Sequence, residues 1–359
     1  MDKRIVISLL VLMSCALTLG CVQSPSDEGT PTAEQEVYIV NMAPPTMLDE
    51  LKSGDIDGFI AWEPFNAEAA VEGYARYLIN SSEIWPHHPC CVVASSESSY
   101  KNERLLTAIV WAHIKATRFI NNPDNYNKTV QYAMEFTGKD MKTAETAISN
   151  IDFVEYPSVD EFKNYYYRLE DGQLLKKSVE DIGYSDDDAF FEDFLNQSYY
   201  LEVVQKLEDD PSWVPPPVSS NEIVRVGHLS ADLHQMAVHV AVQEGYFKQV
   251  GLVEGENLFI KGTYVNGVAA MEAFKNDEID VCYLGGAPAT LKRINDNTKI
   301  HIIAGANDIG SSIMVGADSD IHTTKELAGK IVAIPGVGTV QDFIVRQMAH
   351  ENGFRVVMK

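Results

Sequence analysis

Two passages of the chain share the same order of features, and they decide the fold. Residues 274–280 read Phe-Lys-Asn-Asp-Glu-Ile-Asp and precede an apolar run and Gly285-Gly286. Residues 51–57 read Leu-Lys-Ser-Gly-Asp-Ile-Asp and precede another apolar run and Trp62-Glu63-Pro64. Each passage has the pattern of a helix end, a short turn, a buried strand, a loop and the start of another helix. The sequence therefore predicts a duplicated α/β lobe.

Predicted strands and helices alternate through most of the chain. Short apolar runs predict strands at residues 57–62, 224–229, 258–264, 280–284, 300–304 and 331–334. Helical periodicity covers residues 66–72, 101–121, 128–136, 140–148, 159–169 and 173–179. This alternation predicts an α/β fold in which each lobe is a mixed sheet flanked by helices. Residues 208–221 are rich in proline and predict a flexible linker.

Composition and charge narrow the class of protein. The chain has 359 residues, of which 45% are hydrophobic, enough to build the cores of two lobes. Its net charge of −24 argues against nucleic acid as a partner, because binding phosphates requires basic groups. An anionic ligand would have to be held by local hydrogen-bond donors rather than by the overall field.

The N-terminus is typical of an exported protein. Lys3-Arg4 and the apolar residues 5–19 predict a signal peptide over residues 1–20, since a membrane-spanning helix needs about 20 apolar residues. Residues 18–21, Thr-Leu-Gly-Cys, resemble a lipobox and predict lipidation of Cys21, although Thr18 stands where Leu is usual. An uncleaved membrane anchor is the alternative, and it also tethers the protein on the outer face. Residues 21–36 predict a flexible tether.

The sequence His87-His88-Pro89-Cys90-Cys91 raises the question of a metal or redox site. Adjacent side chains of an extended strand point to opposite faces, so four ligands are not expected to converge on one ion. We therefore interpret these residues as part of a strand and predict no metal site, with a redox role for the cysteines left open. The cysteines that follow the signal peptide are too few for a disulfide scaffold.

Four junctions between strands and helices predict a binding site. They are residues 230–232 (Ser-Ala-Asp), 285–288 (Gly-Gly-Ala-Pro), 336–339 (Gly-Val-Gly-Thr) and 63–64 (Glu-Pro). The prolines suit a first helical turn, and Thr339 with Asp342 resembles a capping box. Because the N-terminus of a helix offers free N–H groups and positive potential, the junctions together predict a small-anion site, although each alone is equally typical of an ordinary turn. The candidate ligand-binding residues are Trp62, Glu63, His228, Ser230, His234, Gly285, Gly286, Ala287, Gly336, Gly338 and Thr339.

Several of these side chains have two interpretations. Trp62 could contact an organic tail of the ligand or belong to the core. Glu63 could pair with the ammonium group of a zwitterion such as taurine, or it could compensate the N-terminal charge of a helix. His228 and His234 are each more often structural than ligand-binding in such a position.

Sequence motifs favour binding over catalysis. Gly336-Val337-Gly338 would need a third glycine at position 341 for a dinucleotide fingerprint, and that residue is Gln341. The sequence also has no GxSxG, Walker A or HExxH motif. We therefore expect no catalytic residues and no cofactor.

Four segments resemble successive signatures of the nitrate/sulfonate/taurine solute-binding proteins of ABC importers. They are residues 224–252, 277–291, 325–339 and 51–69, and the resemblance extends over most of residues 37–200 and 222–359. It implies a type II periplasmic-binding-protein-like fold with two lobes. It also implies hinge closure on a small anionic or zwitterionic ligand, partnership with a permease and its ATPase, and an extracytoplasmic location with a lipid anchor at Cys21.

The order of the segments differs from the family's order, which implies a circular permutation. Lobe 1 would comprise residues 222–317, and lobe 2 residues 37–88 together with 318–359. Residues 89–207 would supply a crossover strand and helices that pack mainly on lobe 1. The strand near Val356 is then expected beside residues 37–40. A tandem-gene fragment or a rearranged, non-functional gene product would give the same order.

Two other classes of function stay open. Thiamine-pyrimidine synthases resemble this family, but their longer cysteine-rich motif does not match Cys90-Cys91, and a pyrimidine-binding protein is a related alternative. A ligand-sensing module would require a signalling domain that the sequence does not show. The identity of the ligand does not follow from the sequence.

Overall fold

The computed structural model describes residues 36–359. The predicted signal peptide, the lipidation site at Cys21 and nearly all of the predicted tether lie outside these residues. Within residues 36–359, no helix is long and apolar enough to cross a membrane.

Twelve strands are present in the described part of the chain. In chain order they are β1 (Glu36–Asn41), β2 (Gly58–Trp62), β3 (Ala75–Asn80), β4 (Pro89–Ser96), β5 (Asp152–Phe153), β6 (Val224–Leu229), β7 (Leu258–Tyr264), β8 (Val281–Gly285), β9 (Ile300–Asp308), β10 (Ser311–Gly316), β11 (Ile331–Ile334) and β12 (Arg355–Met358).

The α-helices of the described residues fall between these strands. They are α1 (Pro44–Ser53), α2 (Phe65–Val71), α3 (Ser81–Ile84), α4 (Glu97–Tyr100), α5 (Glu103–Asn121), α6 (Tyr126–Thr137), α7 (Met141–Ile148), α8 (Val159–Asp171), α9 (Asp187–Phe194), α10 (Ser198–Asp209), α11 (Ala237–Gln243), α12 (Tyr246–Gln249), α13 (Gly267–Lys275), α14 (Gly286–Asn295) and α15 (Val340–Glu351).

The strands form two mixed sheets of six strands each. Sheet 1 has the order β5-β9-β4-β8-β6-β7, and sheet 2 has the order β12-β1-β11-β2-β10-β3. β6, β7 and β8 are parallel in sheet 1, and β4 runs antiparallel to β8 and β9. In sheet 2, β12, β1, β11 and β2 are parallel and β10 is antiparallel. Two mixed sheets with flanking helices fit the predicted two-lobed, periplasmic-binding-like fold.

The two related passages take the predicted structure in both sheets. α1 leads through a short turn into β2 and then α2, and α13 leads in the same way into β8 and then α14. Every residue of β2 and of β8 is buried, as is expected of strands covered by helices on both faces.

One predicted helix is absent: residues 173–179 form turns and bends instead. α8 ends at Asp171, and Gln173 adopts a left-handed conformation with φ 55° that a helix cannot continue through. The Leu174 amide then donates to the Leu169 carbonyl, which closes the helix end. The apolar residues that suggested helical periodicity, Leu174 and Leu175, instead pack from this loop against the core.

The chain crosses between the sheets at two neighbouring places. Residues 81–88 connect β3 of sheet 2 to β4 of sheet 1, and Ile309-Gly310 connect β9 of sheet 1 to β10 of sheet 2. The sequence suggested that lobe 2 resumes at residue 318. The second crossing comes earlier in the chain, and β10, which follows it, belongs to sheet 2. Ile309 and Gly310 both have positive φ, 53° and 87°. The Ile309 amide donates to the His88 carbonyl at 3.0 Å, so the two crossings contact each other.

β12 lies beside β1, as predicted for the strand near Val356. The two strands are parallel, with Val37 opposite Val356, and the Lys359 amide donates to the Ile39 carbonyl at 2.9 Å. Parallel neighbours cannot be joined by a tight turn, because the chain must return along the length of the strand. β12 could therefore be linked to β1 only through a crossover segment.

The proline-rich segment that the sequence predicts as a linker contacts lobe 1 at two places. α10 extends to Asp209, and the segment after it lies on the core of lobe 1. The Trp111 indole donates to the Trp213 carbonyl at 2.9 Å, and the Val218 amide donates to the Val250 carbonyl at 2.8 Å. Val218 is buried. Proline favours an extended backbone. These contacts hold the extended segment against α5 and the end of α12.

Candidate binding site between the two sheets

A cavity of about 20 Å³ lies between the sheets. β2 and the start of α15 line it from sheet 2, and β4, β6, β8 and the adjoining helices line it from sheet 1. Its lining residues are Trp62, Cys90, Cys91, Leu229, Asp232, Gly267, Gly285, Pro288, Thr339, Val340 and Gln341. A volume of this size holds about one water molecule, so the structure has the lobes closed on each other.

Three helices begin at the cavity, and their N-termini differ. In α13, Asn266 caps the helix by accepting from the Ala269 amide. In α15, Thr339 Oγ1 accepts from the Asp342 amide at 3.3 Å, as predicted, but the Asp342 carboxylate accepts from Gly338 rather than from Thr339. α14 begins after Gly285, and no side chain in the described residues caps it. The start of α14 is therefore the best placed of the three to bind an anion.

Trp62 is the last residue of β2, and only 3% of its surface is exposed. Its ring meets Phe65 edge to face with 6.1 Å between centroids. Within residues 36–359, its indole Nε1 has no hydrogen-bond partner. Because a buried N–H without a partner is costly, this donor in the cavity wall suits a ligand oxygen.

Glu63 is fully buried next to the cavity, and its carboxylate is occupied by protein donors. The Ala67 amide in the first turn of α2 donates to Oε2 at 2.9 Å, and Asn150 Nδ2 donates to Oε1 at 2.7 Å. Burial raises the pKa of Glu63 to about 7, although these hydrogen bonds and the nearby His234 oppose the shift. The sequence analysis offered two roles for Glu63, pairing with a ligand or compensating the charge of a helix N-terminus. Its contact with the start of α2 matches the second role.

His234 is fully buried and does not itself line the cavity, but it contacts Cys90, which does. Its Nε2 lies 3.0 Å from the Gly310 carbonyl at the second crossing, and its Nδ1 lies 3.4 Å from Cys90 Sγ. Burial opposes a charge on the ring, but the neighbouring Cys90 and Asp232 raise the pKa of His234 to about 9. Burial also raises the pKa of Asp232 to about 7.

The structure contradicts the expectation that Cys90 and Cys91 point apart. Both sulfur atoms and His234 Nδ1 lie within 4.8 Å of one another. The reason is an irregularity in β4: Pro89 pairs with Asp308 and Cys91 with Asn307, so Cys90 is an extra residue in the ladder. A β-bulge breaks the alternation of side chains, and both cysteines face the cavity.

His228 and Ser230 lie apart from this cavity. They line an open groove of about 640 Å³ with Phe136, His239 and Glu254. His228 Nδ1 contacts the Leu229 carbonyl at 2.8 Å, and the ring packs on Phe136. Burial lowers the pKa of His228, which favours the neutral form of the ring.

The remaining predicted residues lie in two places: Gly285, Gly286 and Ala287 at the start of α14 in lobe 1, and Gly336 and Gly338 where lobe 2 contacts lobe 1. Gly285 lines the cavity, whereas Gly286 is packed against the Phe162 ring and Ala287 is in the core. Gly336 and Gly338 belong to the loop before α15, which reaches sheet 1. A Cβ on Gly336 would lie 3.2 Å from Asn266 Nδ2, and one on Gly338 would lie 2.6 Å from Leu291 Cδ2. Both glycines therefore mark close approach between the lobes.

Eight residues of the cavity wall are not among the predicted ligand-binding residues: Cys90, Cys91, Leu229, Asp232, Gly267, Pro288, Val340 and Gln341. Gln341 lies in the first turn of α15, and its Nε2 donates to Ser311 Oγ at 3.0 Å. Its position one turn into a helix that begins at the cavity could have identified it. The convergence of the cysteines depends on the bulge, which no local pattern indicated.

Comparison with known proteins supports a relationship to ABC solute-binding proteins. Residues 24–134 match the NMT1-like family. The nitrate/nitrite binding protein NrtA of Nostoc sp. is 24% identical over 178 residues, which are 46% of this chain and 40% of that protein. The nitrate import ATP-binding protein NrtC of Synechococcus elongatus is 35% identical over 99 residues, 27% of this chain. The bicarbonate transport ATP-binding protein CmpC of Synechocystis sp. is 29% identical over 93 residues, 26% of this chain.

These matches are partial. The chain spans 15% of the length of NrtC and 14% of that of CmpC. No solved structure matches the chain. The family match and the similarity to NrtA point to a binding protein rather than to an enzyme.

Proposed function

We propose that this protein is the extracytoplasmic solute-binding component of an ABC importer. It captures a small anion between its lobes and delivers it to a permease and ATPase at the membrane, to which lipid on Cys21 holds it. The observation that carries the proposal is the cavity itself, which is lined from both sheets at the start of α14 and lies next to the two crossings.

Hinge closure follows from this arrangement. With the lobes in contact the cavity of about 20 Å³ is smaller than a solute, so the lobes must separate for binding. A ligand that contacts both sheets stabilises the closed state relative to the open one. The crossings at residues 81–88 and Ile309-Gly310 are the places where the backbone can rotate.

The proposed ligand is a small oxyanion. NrtA and CmpC are named for nitrate or nitrite and for bicarbonate, and these compact ions require less widening of the cavity than an organic sulfonate or taurine. The start of α14 and the indole N–H of Trp62 supply the donors. Because the carboxyl groups of Glu63 and Asp232 both have a raised pKa of about 7, the cleft carries less negative charge than its composition suggests.

Calorimetry with nitrate, bicarbonate, taurine and ethanesulfonate tests the proposal. We expect at least one of the oxyanions to bind, and Trp62→Phe to weaken it by about tenfold, since this change removes one donor while retaining an aromatic ring. Trp111→Phe is the matched control, because it removes an indole N–H that bonds the Trp213 carbonyl outside the cleft. Binding of none of the four ligands, or equal weakening by both changes, would contradict the proposed site.

We also infer that the two halves of the chain are circularly permuted relative to the resembled family. The pairing of β12 with β1 in one sheet supports this inference. A re-permuted chain would join Lys359 to Glu36 through a crossover of about a dozen residues and open at residues 211–220. It should fold and bind the same ligand with similar affinity. An insoluble or unfolded product would count against the permutation.

A further inference from the structure

We propose that Cys90, Cys91 and His234 form a binding site for one thiophilic metal ion, of the Zn²⁺ or Cu⁺ class, in the wall of the interlobe cavity. The site is distinct from the proposed anion site at the start of α14. All three residues belong to the lobe of sheet 1, so the inference does not depend on lobe closure or on the anion.

The spacing of the ligand atoms suits a tetrahedral ion. With Zn–S bonds of about 2.3 Å and Zn–N bonds of about 2.0 Å, a tetrahedral centre places sulfur and nitrogen about 3.5 Å apart. Cys90 Sγ and His234 Nδ1 are 3.4 Å apart, and all three donor atoms lie within 4.8 Å of one another. An ion can therefore be accommodated with small adjustments of side chains.

The histidine is held in the orientation that a ligand needs. A carbonyl oxygen can only accept, so His234 Nε2 carries the hydrogen that bonds the Gly310 carbonyl. When the ring is neutral, its lone pair is on Nδ1, the atom that faces Cys90. A backbone carbonyl on the second nitrogen is the usual support of a metal-binding histidine.

Asp232 and Gln235 complete the surroundings. Asp232 Oδ1 is 3.5 Å from His234 Nδ1, and its Oδ2 is 3.9 Å from Cys91 Sγ. Gln235 Nε2 donates to Asp232 Oδ2 at 2.8 Å and fixes the carboxylate. Asp232 is therefore placed to act as a fourth ligand or to hold the other three.

Charge and burial favour a thiophilic ion over an alkaline-earth ion. The three ligand residues are at most 3% exposed. Binding of a divalent ion replaces the two S–H protons and, where His234 is charged, the proton on its Nδ1. Two metal–sulfur bonds and one metal–nitrogen bond form, and the displaced protons go to solvent. Two thiolates neutralise a divalent ion, so the unit of Zn²⁺, the two cysteines and a neutral His234 carries no net charge, and thiolates select Zn²⁺ or Cu⁺ over Mg²⁺ or Ca²⁺.

Zinc titration of the full, reduced, metal-free chain tests the site. Under anaerobic conditions, competition with a coloured chelator should show one Zn²⁺ per chain, and Co²⁺ should give a thiolate-to-metal charge-transfer band. Cys90→Ser and Cys91→Ser should each weaken this binding by on the order of 100-fold and abolish the band. Thermal melting should show that both variants stay folded, since serine is nearly isosteric with cysteine.

Cys282→Ser is the matched control. Cys282 is also buried in sheet 1, but its thiol donates to the Tyr283 carbonyl and it is not part of the cluster. This variant should bind Zn²⁺ as the parent does. Each variant keeps Cys15 and Cys21, so metal bound at those residues would survive in all of them. Equal binding by the parent and both cluster variants, equal loss in Cys282→Ser, or a reduced parent that binds no metal would overturn the proposal.

Discussion

At the scale of single residues, the sequence predicted some residues of the cavity wall correctly and missed others. Trp62, Gly285 and Thr339 were predicted because each ends a strand or starts a helix, and the structure places all three in the wall. His228 and Ser230 follow the same rule, yet they lie in the outer groove. The rule locates the edge of a sheet but not the direction of a side chain. Cys90 shows the same limit, because its direction depends on a bulge.

Gly338 offers a residue-scale test of contact between the lobes. Gly338 and Gly329 both have left-handed backbones, with φ of 82° and 74°, so alanine at either position should cost roughly 1 kcal/mol of stability. Only at Gly338 does the added Cβ meet the other lobe, 2.6 Å from Leu291 Cδ2. We expect Gly338→Ala to weaken anion binding at least tenfold and Gly329→Ala to leave it unchanged, as measured by calorimetry. Similar affinities for the two variants would show that closure does not bring this loop against α14.

Glu63 offers a test of pH dependence. Its folded pKa of about 7 lies above the ordinary 4.5, so its contribution is fully present below pH 4.5 and is lost as the pH rises through 7. The shift corresponds to about 3 kcal/mol of stability lost at high pH. Glu63→Gln cannot ionise, so chemical denaturation between pH 5 and 8 should show a correspondingly smaller loss than in the parent. Glu145→Gln, on the exposed face of α7, should retain the parent's slope, and an unchanged slope in Glu63→Gln would contradict the assignment.

At the scale of elements, the strands were predicted more accurately than the connections. β6, β7 and β11 have the predicted bounds, because short apolar runs between turn residues leave few other structures. The helix predicted at residues 173–179 is wrong because the structure of this loop is set by contacts with the core. Such contacts join residues far apart in sequence, which local periodicity cannot register.

Hydrogen exchange can test the order of strands in sheet 2. β12 is the edge strand, with its residues exposed or half-buried, whereas β1 is paired on both sides and Val37 and Ile39 are fully buried. The Tyr38 amide, which bonds the Lys330 carbonyl, should therefore exchange at least tenfold more slowly than the Lys359 amide. Equally fast exchange at both positions would contradict the pairing of β1 with β11.

At the scale of the whole molecule, two sheets meet at a small cavity and are joined by two adjacent crossings. In the proposed hinge closure, the lobes would move as bodies while the backbone rotates at residues 81–88 and Ile309-Gly310. The sequence predicted the two lobes from the repeated passages, since duplication preserves the order of elements. It could not predict how closely the lobes approach, which depends on glycines in one lobe meeting side chains of the other.

A distance measured across the lobes tests hinge closure most directly. Ser53 and Asn276 occupy equivalent, exposed positions at the ends of α1 and α13, one in each lobe. Spin labels attached there through unnatural amino acids would avoid the native cysteines. We predict two distance populations in the free protein, with the closed population increasing on addition of the oxyanion that binds in calorimetry. A single distance that stays unchanged at saturating ligand would contradict capture of the ligand by closure of the lobes.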